Sequence, residues 1–449
     1  MTVFRTVQSA KNGHFHSFGA RIGKGFSFAM TPHLLIRGGR QLSGTIRIDG
    51  MKNAALPILF ALLLVRDEVT LEELPPVTDI ETTLQILCKM GAELTRLSPT
   101  AVRVNTKSAD PDAVPLKLTT ELRGSSYLLG AGLGRFGHAT TGVPGGCDFG
   151  ARPLDQHFRL LESLGAVIEP EKSLLRASAP NGLHGANLRL DFPSVGATVN
   201  GILAAALAKG TTVISGAARE PHIADLADFL NACGARISGA GTPTIRIDGV
   251  SRLHGTDYRV LPDMIEAGTY LCAVCGTGGS VRLDGVCPAH LGSILLPLRK
   301  MGAEIAVSDD HLTLKRTGDL YGTVLETAPY PGFPTDMQPQ FAPLLCLSRG
   351  GGRIYERVWK KRFQYIKELE RMGGTIQLGG DFADFSGSDR LTGACVRATD
   401  LRGGAALLIA GLCAHGVTEL CDVHHIERGY PCFTEKLTAI GANVSFAPG

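Results

Sequence analysis

Apolar residues along the chain fall into two alternating kinds of segment. One kind is apolar on nearly every side and rich in Ala and Gly: "MKNAALPILFALLL", "ELRGSSYLLGAGLG", "SVGATVNGILAAALA", "DMIEAGTYLCAVCG", "DMQPQFAPLLCLS" and "DLRGGAALLIAGLCA". A helix that is apolar all round has to be buried, so these segments predict six core helices. The other kind, such as "LADFLNACG" and "ILLPLRKMG", repeats its apolar positions at the helical period on one face and predicts amphipathic helices.

Each amphipathic segment closes on a related phrase: "CKMGAEL", "ESLGAVI", "NACGARI", "RKMGAEI", "ERMGGTI" and "TAIGANV". Their first glycines, Gly91, Gly165, Gly234, Gly302, Gly373 and Gly441, are spaced 74, 69, 68, 71 and 68 residues apart. A helix C-terminus favours a left-handed residue at that point, which is glycine's role. Short β-branched runs, "TTVISGA", "TIRIDGV" and "SVRLDGV", predict strands between the helices. Each unit therefore holds two helices and several short strands, a small αβ layer rather than a solenoid repeat. Six layers predict two globules of three, with α/β sheets covering buried helices. A chain of 449 residues is also long enough for two domains.

Composition narrows the class. The chain is 44% hydrophobic and 19% charged, without an apolar run long enough to span a bilayer, so no membrane partner is expected. A net charge of +3 is too small to imply nucleic acid. Eleven scattered cysteines do not make a disulfide framework and point to a reducing cytoplasm. Cys272 and Cys275 form a C-x-x-C inside an apolar helical run, and His424 and His425 lack companion ligands, so no metal is expected. Residues 1–29 contain no Asp or Glu but carry Arg5, Lys11, Arg21 and Lys24. They read as a transit segment or as a start misplaced upstream of Met30; either way 1–33 is expected to be a disordered extension.

Polar residues gather at equivalent ends of the six units. Lys52 and Asn53, Arg123, Ser194, Asp336, and Asp400 with Arg402 stand at or near the starts of core helices. Arg152, Arg219 with Glu220, Arg362 and Arg428 lie in loops leading into the amphipathic helices. Each has an ordinary explanation: Asp336 and Asp400 as caps, Arg362 and Arg428 as solvated charges, Lys52 as a snorkelling side chain. Their recurrence at one end of every unit favours a site. Helix N-termini and arginines converging on one cleft would bind an anion. In "GVPGGCDFGARPLDQH", Cys147 sits among glycines five residues before Arg152.

The phrases "GMKNAALPIL", "LRGSSYLLGAGLGRFG", "PGGCDFGARPLDQH", "FPSVGAT", "AAREP", "FPTDMQPQF", "ATDLRGGAALLIAG" and "HHIERGY" occur in one order across nearly the whole chain. In this the chain resembles the UDP-N-acetylglucosamine 1-carboxyvinyltransferase family of enolpyruvyl transferases. The resemblance implies an α/β fold, a two-domain inside-out α/β barrel with six βαβαββ units, three per domain, and an active site in the interdomain cleft. It implies one domain of residues 52–258 with a mobile Cys loop at about 140–153, and a second of 34–51 plus 259–449.

It also implies a reaction, transfer of enolpyruvyl from phosphoenolpyruvate to the 3-hydroxyl of UDP-N-acetylglucosamine by addition and elimination, opening peptidoglycan precursor synthesis without a cofactor. Lys52, Arg123, Arg152 and Arg428 match positions that hold phosphoenolpyruvate. Asn53, Ser194, Val195, Gly196, Arg362, Leu401 and Arg402 match positions that hold the UDP-sugar. Asp336 matches the general base at the sugar hydroxyl, and Lys52 the group that stabilises developing charge. Cys147 matches the proton donor on the mobile loop and the thiol alkylated by the antibiotic fosfomycin.

The chain departs from the family pattern at His222 and Val199–Asn200, where acidic residues are expected at the first two, at Met264, where arginine is usual, and at Tyr127, which replaces a tryptophan of some members. His222, Met264 and Asn200 keep two alternatives open: the same chemistry on another uridine nucleotide such as UMP, and a non-catalytic sugar-nucleotide-binding protein.

Overall fold

The computed structural model of this protein describes residues 33–143, 145 and 154–447. The six predicted core helices form at Lys52–Ala61, Tyr127–Phe136, Val195–Ala205, Met264–Thr277, Gln338–Leu347 and Leu401–Cys413, each with a largely buried surface. The six amphipathic helices end beside the repeat glycines, and every one of those glycines is left-handed. Their φ values are 96° at Gly91, 99° at Gly165, 95° at Gly234, 102° at Gly302, 93° at Gly373 and 96° at Gly441. An L-residue in that region is strained, so the phrase recurs because the backbone reversal does.

Strands from the units form six small sheets. Five have four strands and the same pairing, one parallel contact followed by two antiparallel ones; the sixth has three strands, all antiparallel. Two strands come from the start of the chain. Leu34–Arg37 lies antiparallel between Val417–Cys421 and Asn443–Phe446. Leu42–Arg47 runs parallel to Gly279–Asp284. His33 belongs to this fold, its carbonyl accepting a 2.8 Å hydrogen bond from the Ala447 N–H.

The core helices pack in two sets. Helices Lys52–Ala61, Tyr127–Phe136 and Val195–Ala205 touch one another in series, as do Met264–Thr277, Gln338–Leu347 and Leu401–Cys413. Missing side chains permit this closeness. A β-carbon at Gly130 would lie 2.6 Å from the Asn200 carbonyl oxygen, and one at Gly134 2.9 Å from that of Leu203. Gly130 and Gly134 are four apart, on one helix face.

The chain passes between the two sets twice, and the two passages run side by side. The Met51 N–H donates to the Leu261 carbonyl at 2.7 Å and the Asp263 N–H to that of Asp49 at 2.9 Å. Lys436 Nζ reaches Asp49 at 2.6 Å and also bonds Glu266 on one side of this crossing. On the other side, Tyr258 donates its hydroxyl to Asp225 at 2.7 Å. Among the described residues no helix is long and apolar enough to cross a membrane.

Candidate active site

Helix N-termini and the loops between them bring the polar residues into three groups. The first spans both halves of the chain. Asp79, in the first turn of the helix Thr78–Lys89, is only 6% exposed. It accepts from Lys52 Nζ at 2.8 Å and from Arg428 Nε at 3.0 Å. Burial raises the Asp79 carboxyl, but the charges and hydrogen bonds of Lys52 and Arg428 outweigh it and hold the group below its ordinary value. Asn53 follows Lys52 in the same helical turn, half-buried.

The second group centres on Asp336, in a single 3-10 turn before the helix Gln338–Leu347. Arg362 Nη1 lies 2.7 Å from one carboxylate oxygen, and Arg402 approaches the other from Nη2 at 3.1 Å and Nε at 3.3 Å. Both guanidinium groups are buried. Arg402 also donates to the Tyr430 hydroxyl at 2.9 Å. Burial opposes its charge, but Tyr430, Asp336 and Asp263 reverse that effect and push Arg402 above its usual value. Arg362 also donates to the Thr335 hydroxyl at 3.1 Å, and Thr335 in turn donates to Glu356, which is fully buried and accepts from the Thr335 hydroxyl and the Val358 and Trp359 N–H groups, each at 2.8 Å.

Asp400 is a cap, as its position at a helix start allows. It accepts the Arg402 and Gly403 N–H groups at 2.8 and 3.0 Å, and so orients the turn that carries Arg402. Leu401 lies over the segment that joins the first two groups: a β-carbon at Gly429 would be 2.7 Å from its Cδ2. Arg428 meets Asp79 and Tyr430 meets Arg402, so residues 428–430 link the two ion clusters.

The third group is the start of the helix Val195–Ala205. Ser194 caps it, its hydroxyl oxygen accepting the Ala197 N–H at 3.3 Å. Gly196 leaves room for His157, whose Nε2 would be 2.7 Å from a β-carbon there. His157 is buried, its Nδ1 in a 2.9 Å hydrogen bond with the Asn200 amide. Burial first and the Arg123 charge second lower the imidazole to about 4, against a smaller opposing effect of Asp155. It stays neutral near pH 7. The Arg123 charge therefore reaches His157, which sits behind the Ser194–Gly196 turn, and a helix N-terminus and a guanidinium suit one anion.

Cys147 and Arg152 lie outside the described residues. At the Val199–Asn200 departure, Asn200 is wholly internal: it is fully buried, its side-chain carbonyl oxygen accepts the Gly130 N–H at 2.7 Å, and its amide meets His157. It cannot read an acceptor. Met264 is buried at the start of its helix, beside the cap Asp263. His222 is different. It is 6% exposed, its Nδ1 makes no hydrogen bond among the described residues, and it feels the charges of Glu220, Asp336 and Asp263. Burial, the strongest influence, keeps its pKa below the usual imidazole value.

Sequence reasoning missed Asp79, Glu356, His157 and Tyr430. Asp79 reads as an ordinary first-turn acid of an amphipathic helix, favourable to the helix dipole. Tyr430 lay within the quoted "HHIERGY", two residues from Arg428, and His157 closed the quoted "PGGCDFGARPLDQH"; those phrases were the available signals. Cys272 and Cys275 are buried in their helix, and burial raises both thiols.

A family model described as EPSP synthase (3-phosphoshikimate 1-carboxyvinyltransferase) matches residues 36–437. The chain is 45% identical over 410 residues to UDP-N-acetylglucosamine 1-carboxyvinyltransferase 3 of Caldanaerobacter subterraneus, covering 91% of this chain and 98% of that protein. It is 46% identical over 415 residues to UDP-N-acetylglucosamine 1-carboxyvinyltransferase of Halorhodospira halophila, covering 92% and 99%. Among solved structures, the enolpyruvyl transferase NikO from Streptomyces tendae superposes with a TM-score of 0.84 at 27% identity, over 94% of this chain and all of that one.

Proposed function

Because the chain belongs to the EPSP synthase family and, within it, to the UDP-N-acetylglucosamine 1-carboxyvinyltransferases, we propose that it transfers the enolpyruvyl group of phosphoenolpyruvate to the 3-hydroxyl of UDP-N-acetylglucosamine, releasing phosphate. The observation that carries the residue assignments is the Asp336 carboxylate held between two buried guanidinium groups, linked through residues 428–430 to the Lys52–Asp79–Arg428 cluster.

In this reading the two clusters divide the work. Lys52, Arg123, Arg152 and Arg428 neutralise the phosphate and carboxylate of phosphoenolpyruvate. Asp336 takes the proton of the sugar hydroxyl as its oxygen adds to C2, and Cys147 delivers a proton to the methylene carbon. The resulting tetrahedral ketal then loses phosphate from C2 and a proton from the neighbouring methyl carbon, restoring the double bond. Lys52 stabilises the charge that develops on phosphate and ketal carbon. Arg362 and Arg402 fix the carboxylate of Asp336, so the base meets the hydroxyl in one orientation. Asn53, Leu401 and the Ser194–Gly196 turn complete the sugar-nucleotide site, with the neutral His157 behind the turn.

The paired crossing at residues 49–51 and 261–263 supports two domains, arranged as an inside-out barrel of three units each. The first runs from Lys52 to Arg259, one residue past the expected boundary at 258, because Asp257–Arg259 pairs with Val69–Glu72. The second takes residues 34–51 and the rest of the chain from 260. Lys52 comes from the first domain and Arg428 from the second, and together they would hold one anion. Asp79 already spans them.

The test is phosphate release from phosphoenolpyruvate by the full chain, with UDP-N-acetylglucosamine and UMP as parallel acceptors. Release with the sugar nucleotide is expected; release with UMP alone would overturn the acceptor assignment. His222, near Asp336 and without a hydrogen bond at Nδ1, is the observation that favours testing UMP.

A further inference from the structure

The sheet that holds the first described strand carries four metal donors on one face: two soft thiols, a borderline imidazole and a hard carboxylate. Cys395 pairs with Glu419 across a parallel ladder, and Leu35 pairs with Glu419 from the other side. Strand alternation puts Cys421 on the same face as Glu419, and His33 on the same face as Leu35, opposite Cys421. The reverse face is core: Leu34, Ile36, Val396 and Leu420 are fully buried.

Side chains converge as the register requires. His33 Nδ1 is 2.5 Å from Glu419 Oε1, and the Cys395 and Cys421 sulfurs are 3.9 Å apart. Donor atoms of His33, Glu419 and Cys421 all lie within 4.8 Å of one another, and the Cys395 sulfur stands at the edge of this trio, beside Cys421.

Two cysteines so close invite a disulfide, but the register opposes one. Cys395 and Cys421 are diagonal neighbours, since Cys421 pairs directly with Arg397. With strands about 4.8 Å apart and a rise of about 3.3 Å per residue, their Cα atoms are about 8 Å apart. That exceeds the roughly 7 Å a disulfide tolerates. A bridging atom between the sulfurs fits better. Two thiolates on a tetrahedral ion with bonds of about 2.3 Å sit about 3.8 Å apart, close to the separation found here. To share one ion, His33 and Glu419 would have to part by about 1 Å and Cys395 would have to turn inward to join the other three, both by side-chain rotation.

We propose that Cys395, Cys421, His33 and Glu419 form a structural site for a borderline-soft divalent cation of the zinc class. Thiolate and imidazole ligands select zinc or cobalt over magnesium or calcium. On binding, the two thiols give up their protons to solvent, and the cation replaces the His33–Glu419 contact. The site clamps three stretches that meet in this sheet: His33 before its first strand, Cys395, and the Glu419–Cys421 strand. A tetrahedral set of four protein ligands leaves no open position, as expected of a structural rather than a catalytic ion.

The experiment is titration of the reduced, chelator-stripped full chain with cobalt(II), followed by its thiolate charge-transfer absorption and by displacement with zinc. One equivalent with sulfur absorption is expected, displaced by zinc, with zinc also raising the thermal midpoint. Cys395→Ser and Cys421→Ser should each reduce the sulfur band and weaken cobalt by at least about 10- to 100-fold, the range that loss of even an outer partner produces. Cys272→Ser, in the buried helix, should leave the band intact. A band that survives the Cys395→Ser/Cys421→Ser double variant overturns the proposal, as does a reduced chain that takes up no cobalt. Zinc content and absorbance are read without substrate, so failure here is separate from failure of the enzymatic reading.

Discussion

Asp79→Asn tests the ion cluster most directly, because the amide keeps the shape and removes the charge. At an effective dielectric of about 20, a unit charge at 2.8 or 3.0 Å gives about 6 kcal/mol of gross attraction for each pair. Desolvating a carboxylate that is 6% exposed cancels most of that. Removing one partner of a buried ion pair costs about 3–5 kcal/mol. Lys52 and Arg428 keep 12% and 24% of their side-chain exposure, so water can recover part of the loss. The expected destabilisation at pH 7 is about 2–3 kcal/mol, read as a fall of several degrees in the thermal midpoint.

The pH dependence carries the sign. Asp79 has a folded pKa below its ordinary 3.8, so its stabilisation is present above the unfolded value and is lost as pH falls through the folded one. The stability curves of parent and Asp79→Asn should therefore converge as pH falls below about 4. Inorganic phosphate should raise the variant's midpoint more than the parent's, because Lys52 and Arg428 lose their internal anion. Thermal melts across pH, with and without phosphate, make the measurement. Equal parent and variant stability at pH 7, or curves that stay parallel into acid, would refute the reasoning.

Three further outcomes follow from the site. Asp336→Asn should cut turnover by about 10²- to 10⁴-fold, the usual worth of a general base, while calorimetry still detects the sugar nucleotide; a rate within tenfold of the parent removes Asp336 from the mechanism. His157, lowered to about 4 from an unfolded 6.5, remains neutral while the unfolded chain protonates, so stability is lost as pH falls from 6.5 towards 4. The loss amounts to about 3 kcal/mol, and denaturation of His157→Gln across that range should show a correspondingly shallower decline. Cys147→Asp should retain phosphate release and lose alkylation by fosfomycin, seen by intact mass; persistent alkylation would assign the reaction to another cysteine.

Much of the fold was legible because its determinants are local. Helical period, all-round apolarity and a glycine that must turn left-handed are properties of a few consecutive residues. Gly91 through Gly441 share their φ values because each ends the same kind of helix. Caps were equally local: Asp400 accepts N–H groups two and three residues on.

The site was legible as a set of residues and not as a set of partners. Asp79 and Arg428 are 349 positions apart, and nothing in either neighbourhood announces the other. Asn200 looked like a polar residue available to substrate, yet packing of two helices turns it inward onto Gly130 and His157. His33 and Glu419, 386 positions apart, meet because the first strand is inserted into the last sheet. The repeat, the element types and the chemistry in supply follow from the chain's local pattern. Which charges face one another depends on how two sets of buried helices and an inserted strand pack, and short-range periodicity carries no information about that.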